Sequence, residues 1–260
     1  MDADTIARLE AINQRFYASR AEEFSEARRS PWPGWRRLLP HLPARRPLRV
    51  LDAGCGNGRF ALFLERHCRV PIEYLGIDAS FQLVSEARAR LAALAAARVE
   101  QGDLTAAGPS LALGEEDFEL VAVFGVLHHV PGRERRRALL LRLGERLAAG
   151  GLLAVSTWQF ARLERFRRRI IPWLNAESVA GVAVDPAQLE PDDHLLAWGA
   201  SGGGGGCRYC HFTSDEEMGE HAAALGLELV CDYCDDGATR ELNHYWLFRP
   251  TSSALRRASS

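Results

Sequence analysis

The chain has 260 residues, of which 47% are hydrophobic and 25% charged, a composition typical of one globular domain that buries most of its surface. Its formal net charge of −2 excludes a general attraction to nucleic acid, so any RNA contact has to come from a local basic surface. The sequence starts without a signal-like segment and has no apolar run near the roughly 18 residues that cross a bilayer, which predicts a soluble cytoplasmic protein without a membrane partner.

An amphipathic arm is predicted at the N-terminus. Apolar residues recur at helical spacing through residues 1–28, and the segment "PWPGW" at 31–35 has prolines that end a helix. We therefore expect a helical arm over residues 1–44 that caps the substrate site.

Strand and helix patterns alternate from about residue 45. The segments "LRVLDAGCGNG", "IEYLGID", "ARVEQGD", "DFELVAVFGVLHHV" and "LLAVSTW" are typical of strands, and helical patterns follow between them. The fourth segment is apolar on both faces, as a strand covered by helices on both sides has to be. This order predicts an α/β fold with a parallel, doubly wound sheet.

The alternation is interrupted at about residues 159–206. This stretch holds an arginine-rich piece, a Pro/Asp-containing piece and the glycine-rich "GASGGGGG", which is typical of a linker. We interpret it as an insertion in a domain that spans residues 45–250. Residues 251–260 are expected to be a disordered tail.

A cofactor site is predicted where the first three strands end. The segment "DAGCGNG" follows a strand and opens a helix, and its glycines let a ligand approach the backbone. An acid just ahead of this loop would repel a pyrophosphate but suits an ammonium group, which favours S-adenosylmethionine over a dinucleotide. An acid at the end of the second strand suits ribose hydroxyls, and one at the end of the third suits an adenine amino group. The predicted cofactor-binding residues are Asp52, Gly54, Gly56, Gly58, Asp78, Asp103 and Leu104.

The order of these motifs resembles the class I S-adenosylmethionine-dependent methyltransferases over roughly residues 45–250. The resemblance implies a Rossmann-like, mostly parallel seven-stranded sheet with a C-terminal antiparallel strand. It also implies S-adenosylmethionine as the cofactor. A domain that binds this cofactor without transferring a methyl group is an alternative.

More specific motifs resemble one family within this class. The segments "FYASRAEEFSEARRSPWP", "VLHHVPGRERRRALLLRLGERLAAGG" and "RYCHFTSDEEM" are similar to the tRNA wobble-uridine carboxymethyl methyltransferases and the methyltransferase part of AlkB-type tRNA hydroxylases. The resemblance implies that the chain esterifies 5-carboxymethyluridine in a tRNA anticodon loop, and that a small zinc-containing activator protein is a possible partner. By motif, the candidate substrate-side residues are Arg28, His128, His129, Arg208, Tyr209 and His211.

The residue types agree with that chemistry. A carboxylate acceptor is ionised at pH 7 and needs no general base, and a guanidinium can hold it with two hydrogen bonds. Tyr17, Phe24 and Trp32 are candidate stacking surfaces for a base, or else packing residues. A small-molecule carboxylate or hydroxyl acceptor is an alternative, with the insertion as a lid.

The segment "HHVPGRERRR" follows the fourth strand. We expect one histidine of His128 and His129 to face the pocket and to position the substrate. The arginines at 133–137 begin the next helix, where they form either a basic rim for tRNA phosphate or a solvated helix face.

The six cysteines are expected to be thiols or metal ligands, since disulfides are rare inside cells. Cys207-x-x-Cys210 and Cys231-x-x-Cys234 are separated by twenty residues, a spacing that occurs in four-cysteine zinc sites. Neither pair has the Gly or Pro turn of a zinc knuckle, and the second pair falls on a predicted strand whose alternate faces would separate it. Thiols without a metal are therefore favoured over zinc.

Overall fold

The computed structural model describes residues 1–26, 30–105, 116–199 and 206–251, with the side chains of residues 21–26 excluded. Its strands form a larger and a smaller sheet. In chain order the strands are β1 (Leu48–Ala53), β2 (Ile72–Asp78), β3 (Ala97–Gln101), β4 (Phe118–Phe124), β5 (Leu147–Trp158), β6 (Ile170–Ile171), β7 (Asp193–Ala197), β8 (Cys207–His211), β9 (Leu227–Asp235) and β10 (Asn243–Pro250).

The larger sheet has seven strands in the order β3-β2-β1-β4-β5-β10-β9. The strands from β1 to β5 pair in parallel, and β10 is antiparallel to both β5 and β9. The predicted fold class, a mostly parallel seven-stranded sheet with an antiparallel C-terminal strand, is confirmed. The strand order reverses between β1 and β4, and ligands of such sheets bind in the crevice at that point.

Helices cover both faces of the larger sheet. In chain order the helices are α1 (Ala3–Glu26), α2 (Trp35–Leu38), α3 (Arg59–His67), α4 (Phe81–Leu91), α5 (Arg133–Gly144), α6 (Glu164–Arg167), α7 (Ala176–Ala180) and α8 (Asp215–Ala224). Apolar residues of α2, α3 and α4 pack with one face of the sheet, and those of α5 and α8 pack with the other. The central strand β4 is therefore buried along its whole length, as its two-sided apolar pattern predicts.

The strand β5 begins earlier than predicted. The predicted segment "LLAVSTW" starts at Leu152, but helix α5 stops at Gly144 and β5 begins at Leu147. Leu147 pairs with Phe118, and the register shifts before Leu120 pairs with Leu152. The first residues of β5 are thus held by the neighbouring strand rather than by the helix, because sheet pairing overrides the local helical propensity.

The insertion forms the smaller sheet, with strands in the order β6-β7-β8 and antiparallel pairing throughout. It extends past the predicted end at residue 206, because β8 pairs with β7 rather than with a strand of the larger sheet. The chain returns to the main domain at α8, whose first turn is capped by the side chain of Ser214.

The N-terminal arm packs on the insertion rather than extending into solvent. Leu9 and Ile12 of α1 are buried in one apolar cluster with Leu195 of β7 and Tyr209 of β8. The helix α1 has non-helical backbone angles at Arg20 (φ −132°, ψ 15°). Among the described residues, the structure has no helix that is both long and apolar enough to span a membrane. The predicted tail lies outside the described residues from 252 onward.

Candidate functional site

A cavity of about 650 Å³ opens where β1, β2, β3 and β4 end, beside the reversal of strand order. Asp52, Asp78, Gln101 and Phe124 line it from the ends of these four strands, and side chains of α1 line it as well. Its volume lies in the range of small-ligand sites in proteins. The sheet and the N-terminal arm thus share one cavity.

The glycine loop lines the cavity and is bound to the second strand. Gly54, Gly56 and Gly58 have φ angles of 84°, 54° and 76°, which other residues rarely adopt. A Cβ atom added at Gly56 would meet no other atom within 4 Å, so this part of the backbone faces open space. Asp78 accepts hydrogen bonds of 2.9 Å from the backbone N–H of Gly56 and of Ser80. Asp78, the acid predicted for the ribose hydroxyls, therefore binds the glycine loop and also lines the cavity.

Asp52 is the buried acid at the start of this loop. It is 2% exposed and accepts a 2.6 Å hydrogen bond from the Tyr74 hydroxyl. Burial raises the pKa of Asp52 to about 7, although the bond from Tyr74 acts in the opposite direction. Arg59 also lines the cavity, and burial lowers its pKa to about 10. The loop region thus has a carboxyl group, Asp52, with a pKa near neutrality, and a cation, Arg59, that is not among the predicted site residues.

The predicted adenine-side residues also reach the cavity. Asp103 and Leu104 both line it, directly after β3. One oxygen of Asp103 accepts hydrogen bonds from the backbone N–H and the hydroxyl of Thr105, at 2.8 and 2.7 Å. All seven predicted cofactor-binding residues therefore lie together, with Gly58 packed against α4 at the base of the loop rather than along the cavity wall.

The histidine pair divides between two environments. His129 lines the cavity, and its Nε2 lies 2.6 Å from the hydroxyl of Tyr17 on α1. His128 is buried behind it, with its ring 3.9 Å from the ring of His129 and 5.5 Å from that of Trp158. His129 is therefore the histidine that faces the cavity, at the end of β4.

Arg208 lies close to this point. Its guanidinium donates a 3.5 Å hydrogen bond to the Tyr17 hydroxyl and lies over the rings of Phe16, Trp158 and Trp198 at 4.7 to 5.3 Å from their centroids. The residue is 6% exposed. In the described part of the chain, no carboxylate lies within ion-pair distance of it. A cation buried among aromatic rings without an acidic partner is suited to an anionic ligand.

Tyr209 and His211 do not face the cavity, contrary to the prediction. Both are buried, and both bind the same oxygen of Asp193, at 2.6 Å for the Tyr209 hydroxyl and 2.9 Å for His211 Nδ1. Residues of a strand alternate between its faces, so Arg208 and Cys210 lie on one side of β8, and Tyr209 and His211 on the other. None of the three residues lines the cavity itself, and Arg208 is connected to it through the Tyr17 hydroxyl.

The face of β8 that carries His211 is part of a buried ion network. His211 Nε2 lies 2.8 Å from Glu217 of α8, and the side chain of Arg136 binds both Glu217 and Glu190 at 2.7 Å. Burial opposes the charge of His211, but its bonds to Asp193 and Glu217 outweigh burial and raise its pKa. Both ring nitrogens face carboxylate oxygens, which is the arrangement expected of a protonated imidazole. We call Arg136, Glu190, Asp193, His211 and Glu217 the ion network.

Three residues of the ion network could together offer ligand atoms to a metal ion. Among the described residues, one group has three possible ligand atoms within 4.8 Å of one another, namely Glu190, Asp193 and His211. Arg136 already binds the Glu190 carboxylate, and Tyr209 donates to Asp193. A metal ion would have to displace a guanidinium from this group.

The arginine run at 133–137 does not form a free basic rim. Arg136 is buried in the ion network, and Arg135 pairs with Glu10 of α1 at 2.6 Å. Arg133 pairs with Glu220, and Arg137 pairs with Glu134 at 2.5 Å. Each positive charge is matched by a carboxylate, so the run links α5 to α1 and α8 instead of presenting unpaired charge to RNA. Arg136 is therefore structural, whereas the side chains of Arg133 and Arg137 are 45% and 49% exposed.

The four zinc candidates do not come together. Cys207 and Cys210 lie on β8 of the smaller sheet, whereas Cys231 and Cys234 lie on β9 at the edge of the larger sheet. Within each pair, residues three apart on a strand point to opposite faces. All six cysteines are free thiols. The alternative of a four-cysteine zinc site is therefore wrong.

Two further candidates fall outside the described residues. These are Arg28 and the side chain of Phe24. The other two aromatic candidates, Tyr17 and Trp32, both line the cavity. Trp32 lies under the guanidinium of Arg59, 4.7 Å from the ring centroid. The turn "PWPGW" thus places an aromatic ring at the cavity next to a cation.

Comparison with known proteins identifies the domain. The family described as "Methyltransferase domain" matches residues 51–153. The chain is 33% identical over 149 residues to an Encephalitozoon cuniculi protein whose name denotes a methyltransferase, covering 57% of this chain and 63% of that one. It is 37% identical over 119 residues to trans-aconitate 2-methyltransferase of Methylobacterium nodulans (45% and 41% of the two chains). It is 29% identical over 144 residues to tRNA (carboxymethyluridine(34)-5-O)-methyltransferase of Arabidopsis thaliana (55% and 32%).

Solved structures share the fold. A methyltransferase described as S-adenosylmethionine-dependent from Methanosarcina mazei superposes with a TM-score of 0.60 at 16% identity, over 85% of this chain and 98% of that one. The chain spans less than two thirds of the length of the curated relatives it matches. The matched domain and the sheet order agree: residues 51–153 match a methyltransferase domain, and the chain has the fold of the solved S-adenosylmethionine-dependent methyltransferase.

Proposed function

We propose that the chain transfers a methyl group from S-adenosylmethionine to the carboxylate of 5-carboxymethyluridine at the wobble position of tRNA. The observation that carries this proposal is Arg208. It is a buried guanidinium with no acidic partner among the described residues, and Tyr17 connects it to His129 at the cavity. A carboxylate acceptor supplies the negative charge that this guanidinium lacks, and two parallel hydrogen bonds can fix its orientation.

The cofactor residues fit S-adenosylmethionine. Asp78 suits the ribose hydroxyls, Asp103 and Leu104 the adenine, and Asp52 the ammonium group. The exposed backbone at Gly56 allows a ligand to approach closely, as a site for this cofactor requires. When bound, S-adenosylmethionine supplies an electrophilic methyl group on a cationic sulfur.

The residues around His129 position the acceptor rather than abstract a proton. A carboxylate is already anionic at neutral pH, so catalysis consists mainly of in-line placement and charge compensation. The Tyr17 hydroxyl lies between Arg208 and His129 Nε2, at 3.5 and 2.6 Å, so α1 contributes to the orientation of both side chains.

The names of two relatives support a carboxylate acceptor. Carboxymethyluridine and trans-aconitate both carry carboxylates, although one is a nucleoside and the other a small acid. The second candidate function is therefore methylation of a small carboxylic acid, with the insertion covering the acceptor. The covering of the cavity by α1 is compatible with either acceptor size, so the acceptor has to be identified by assay.

The decisive assay uses labelled S-adenosylmethionine with three acceptors in parallel. These are tRNA that bears 5-carboxymethyluridine, the same tRNA with unmodified uridine at that position, and trans-aconitate. We expect label only on the first tRNA, and we expect mild alkali to release it, because the product is a methyl ester. Label on trans-aconitate alone would favour the second function. An absence of label on the modified tRNA both with and without an activator protein, while cofactor binding is intact, would refute the tRNA function.

A small activator protein is a proposed partner of this activity. A methyltransferase in complex with the Trm112 methyltransferase activator from Haloferax volcanii shares the fold, with a TM-score of 0.59 at 14% identity over 91% of this chain. We include a Trm112-type activator as a second arm of the assay. Methyl transfer that occurs only when the activator is present would identify it as a partner. Full activity without the activator would remove this partner from the proposal.

Asp52 gives the cofactor site a testable pH dependence. Burial raises its pKa to about 7, and only its ionised form attracts the ammonium group of the cofactor. We expect the affinity for S-adenosylmethionine to rise about five- to tenfold between about pH 6 and about pH 7.5, as Asp52 loses its proton. Titration calorimetry at several pH values measures this change.

The matched variant for this prediction is Asp52→Asn, which keeps the shape of the side chain but cannot ionise. Its affinity is expected to be lower at pH 7.5 and nearly constant over the same range. An unchanged pH profile in this variant would show that another group controls cofactor binding.

A further inference from the structure

The amide of Asn13 on α1 lines the cavity without a hydrogen-bond partner in the described part of the chain. Asn13 is 7% exposed, and both its Oδ1 and its Nδ2 are buried and unpaired. A buried side-chain amide normally finds partners, because leaving its donor and acceptor unsatisfied is unfavourable. An amide in this state at a cavity wall is therefore placed for a ligand.

The position of Asn13 along α1 places it near the acceptor end of the cavity. Residues three and four apart lie on the same face of a helix, and Glu10, Asn13, Gln14 and Tyr17 all line the cavity. Tyr17, one turn after Asn13, contacts His129 at the end of β4. At the other end of this face, Glu10 pairs with Arg135, which donates to the Thr105 carbonyl next to the adenine-side residues, so Asn13 lies between that end and Tyr17. The acids that suit the ribose and the adenine follow β2 and β3 rather than lying on α1, so Asn13 is available to recognise another group.

A primary amide offers a donor and an acceptor side by side, both in one plane. Such a pair complements a flat edge that presents an acceptor beside a donor, as the carbonyl and the ring N–H of a uracil base do. The adenine of the cofactor presents the same kind of edge. The shared chemistry is thus the hydrogen-bonding edge of a nucleobase.

We propose that Asn13 determines specificity by binding the base edge of the methyl acceptor, a pyrimidine with adjacent carbonyl and N–H groups. This inference rests on the proposed tRNA function and adds to it the recognition of the base itself. Arg208 would hold the carboxylate, and Asn13 would hold the ring that carries it. A small acid without such an edge would leave the amide of Asn13 unpaired.

The test is a double-mutant cycle between the side chain and the base. Wild type and Asn13→Ala are each assayed with two anticodon stem-loop RNAs. One bears 5-carboxymethyluridine, and the other bears the same base methylated at N3, which removes its donor. For the wild type we expect N3 methylation to lower kcat/KM about ten- to a hundredfold. For Asn13→Ala we expect N3 methylation to lower kcat/KM less than about threefold, because the side chain that would bind the N3–H group is already absent.

The affinity for S-adenosylmethionine shows which nucleobase Asn13 binds, the uracil of the acceptor or the adenine of the cofactor. The Kd of S-adenosylmethionine is expected to be the same for the wild type and Asn13→Ala. Suppose instead that Asn13→Ala binds S-adenosylmethionine more weakly than the wild type, and that N3 methylation lowers kcat/KM equally in both proteins. Asn13 would then be assigned to the adenine of the cofactor, and the inference would be overturned. The control is Ser19→Ala, which removes an exposed polar group from the same helix at a position outside the cavity lining and is expected to change neither quantity.

Stability gives a readout that does not depend on activity. Asn13→Leu fills a similar volume without polar atoms, so it is expected to raise the melting temperature of the ligand-free protein while lowering methyl transfer. A marked loss of melting temperature would mean that the amide stabilises the fold, which contradicts a role in ligand recognition.

The outcomes also separate this inference from the proposed function. If the wild type esterifies 5-carboxymethyluridine but the cycle shows no coupling, the inference fails and the function stands. If the wild type does not methylate the modified stem-loop at all, the function fails and the inference fails with it.

Discussion

Replacing Arg208 with methionine is expected to lower kcat for a carboxylate acceptor about a hundredfold. The guanidinium supplies the one buried positive charge that the structure places beside Tyr17 and His129 without an acidic partner among the described residues. Methionine keeps the packing of the aliphatic stem against the rings of Trp158 and Trp198 but removes the charge and the hydrogen bonds. The measurement is single-turnover methyl transfer at saturating cofactor.

The controls for Arg208 separate charge from geometry. Arg208→Lys keeps the charge but loses the planar pair of donors, so it is expected to recover only part of the rate. The affinity for S-adenosylmethionine is expected to change less than about twofold in both variants. Wild-type rates in Arg208→Met would show that this arginine only packs against the aromatic rings.

Replacing Arg136 with alanine is expected to lower the free energy of unfolding by about 3–5 kcal/mol. Arg136 is 1% exposed and binds Glu190 and Glu217 at 2.7 Å, so its loss leaves two carboxylates without their main counter-charge. The affected contacts join α5 and α8 of the main domain to the insertion. Urea unfolding followed by circular dichroism measures the change.

The control for Arg136 is the pair of changes Arg136→Met and Glu217→Gln. Removing a charge from each side leaves Glu190 as the one carboxylate of the two that loses its guanidinium, and the double variant is expected to regain part of the lost stability. A loss below about 1 kcal/mol in Arg136→Ala would mean that solvent reaches the network and replaces the guanidinium.

The ion network also predicts a stability optimum in mildly acidic solution. The pKa of His211 is raised in the folded state, so its contribution is present below its ordinary value of 6.5 and is lost as the pH rises through the folded value. Burial would raise the pKa values of Asp193 and Glu217, but their hydrogen bonds lower both. Their contributions are present above the ordinary values of 3.8 and 4.5 and are lost as the pH falls through the lowered values. His211→Gln is expected to flatten the alkaline side of this profile.

The sheet and the positions of the candidate cofactor-binding residues were predictable because their signals are local. Asp78 and Asp103 follow directly after apolar segments, and parallel strands bring their carboxyl ends to one edge. Gly54 and Gly56 belong to a strand-turn-helix pattern whose geometry depends on few residues. Each of these assignments needs only the order of the elements, which hydrophobic periodicity gives directly.

The ion pairs were not predictable, because their partners are distant in the chain. Arg136 looks like part of a basic surface until Glu190 and Glu217 are placed beside it, 54 and 81 residues away. His211 looks like a site residue for the same reason. The cysteine pairs were assigned to one site by spacing, although their strands belong to different sheets. In each case the sequence shows the residue but not the partner that determines its role.

Asn13 was missed for a different reason. It lies among apolar positions of an amphipathic helix, where a single polar residue is easily attributed to the solvent-facing side. Its spacing of four from Tyr17 was the available signal, because it places both side chains on one face. Its missing hydrogen bonds become apparent only once the surrounding atoms are known.

The alternation along β8 restricts how this chain can change in evolution. Arg208 serves the cavity side of the strand, while Tyr209 and His211 hold Asp193 on the other side. Adding or deleting a single residue at the start of β8, inside its pairing with β7, without a compensating bulge would exchange these roles, turning the guanidinium toward the network and the imidazole toward the rings. Homologous proteins are therefore expected to tolerate length variation in the glycine-rich connection before β8, but to conserve the phase of the strand that follows it.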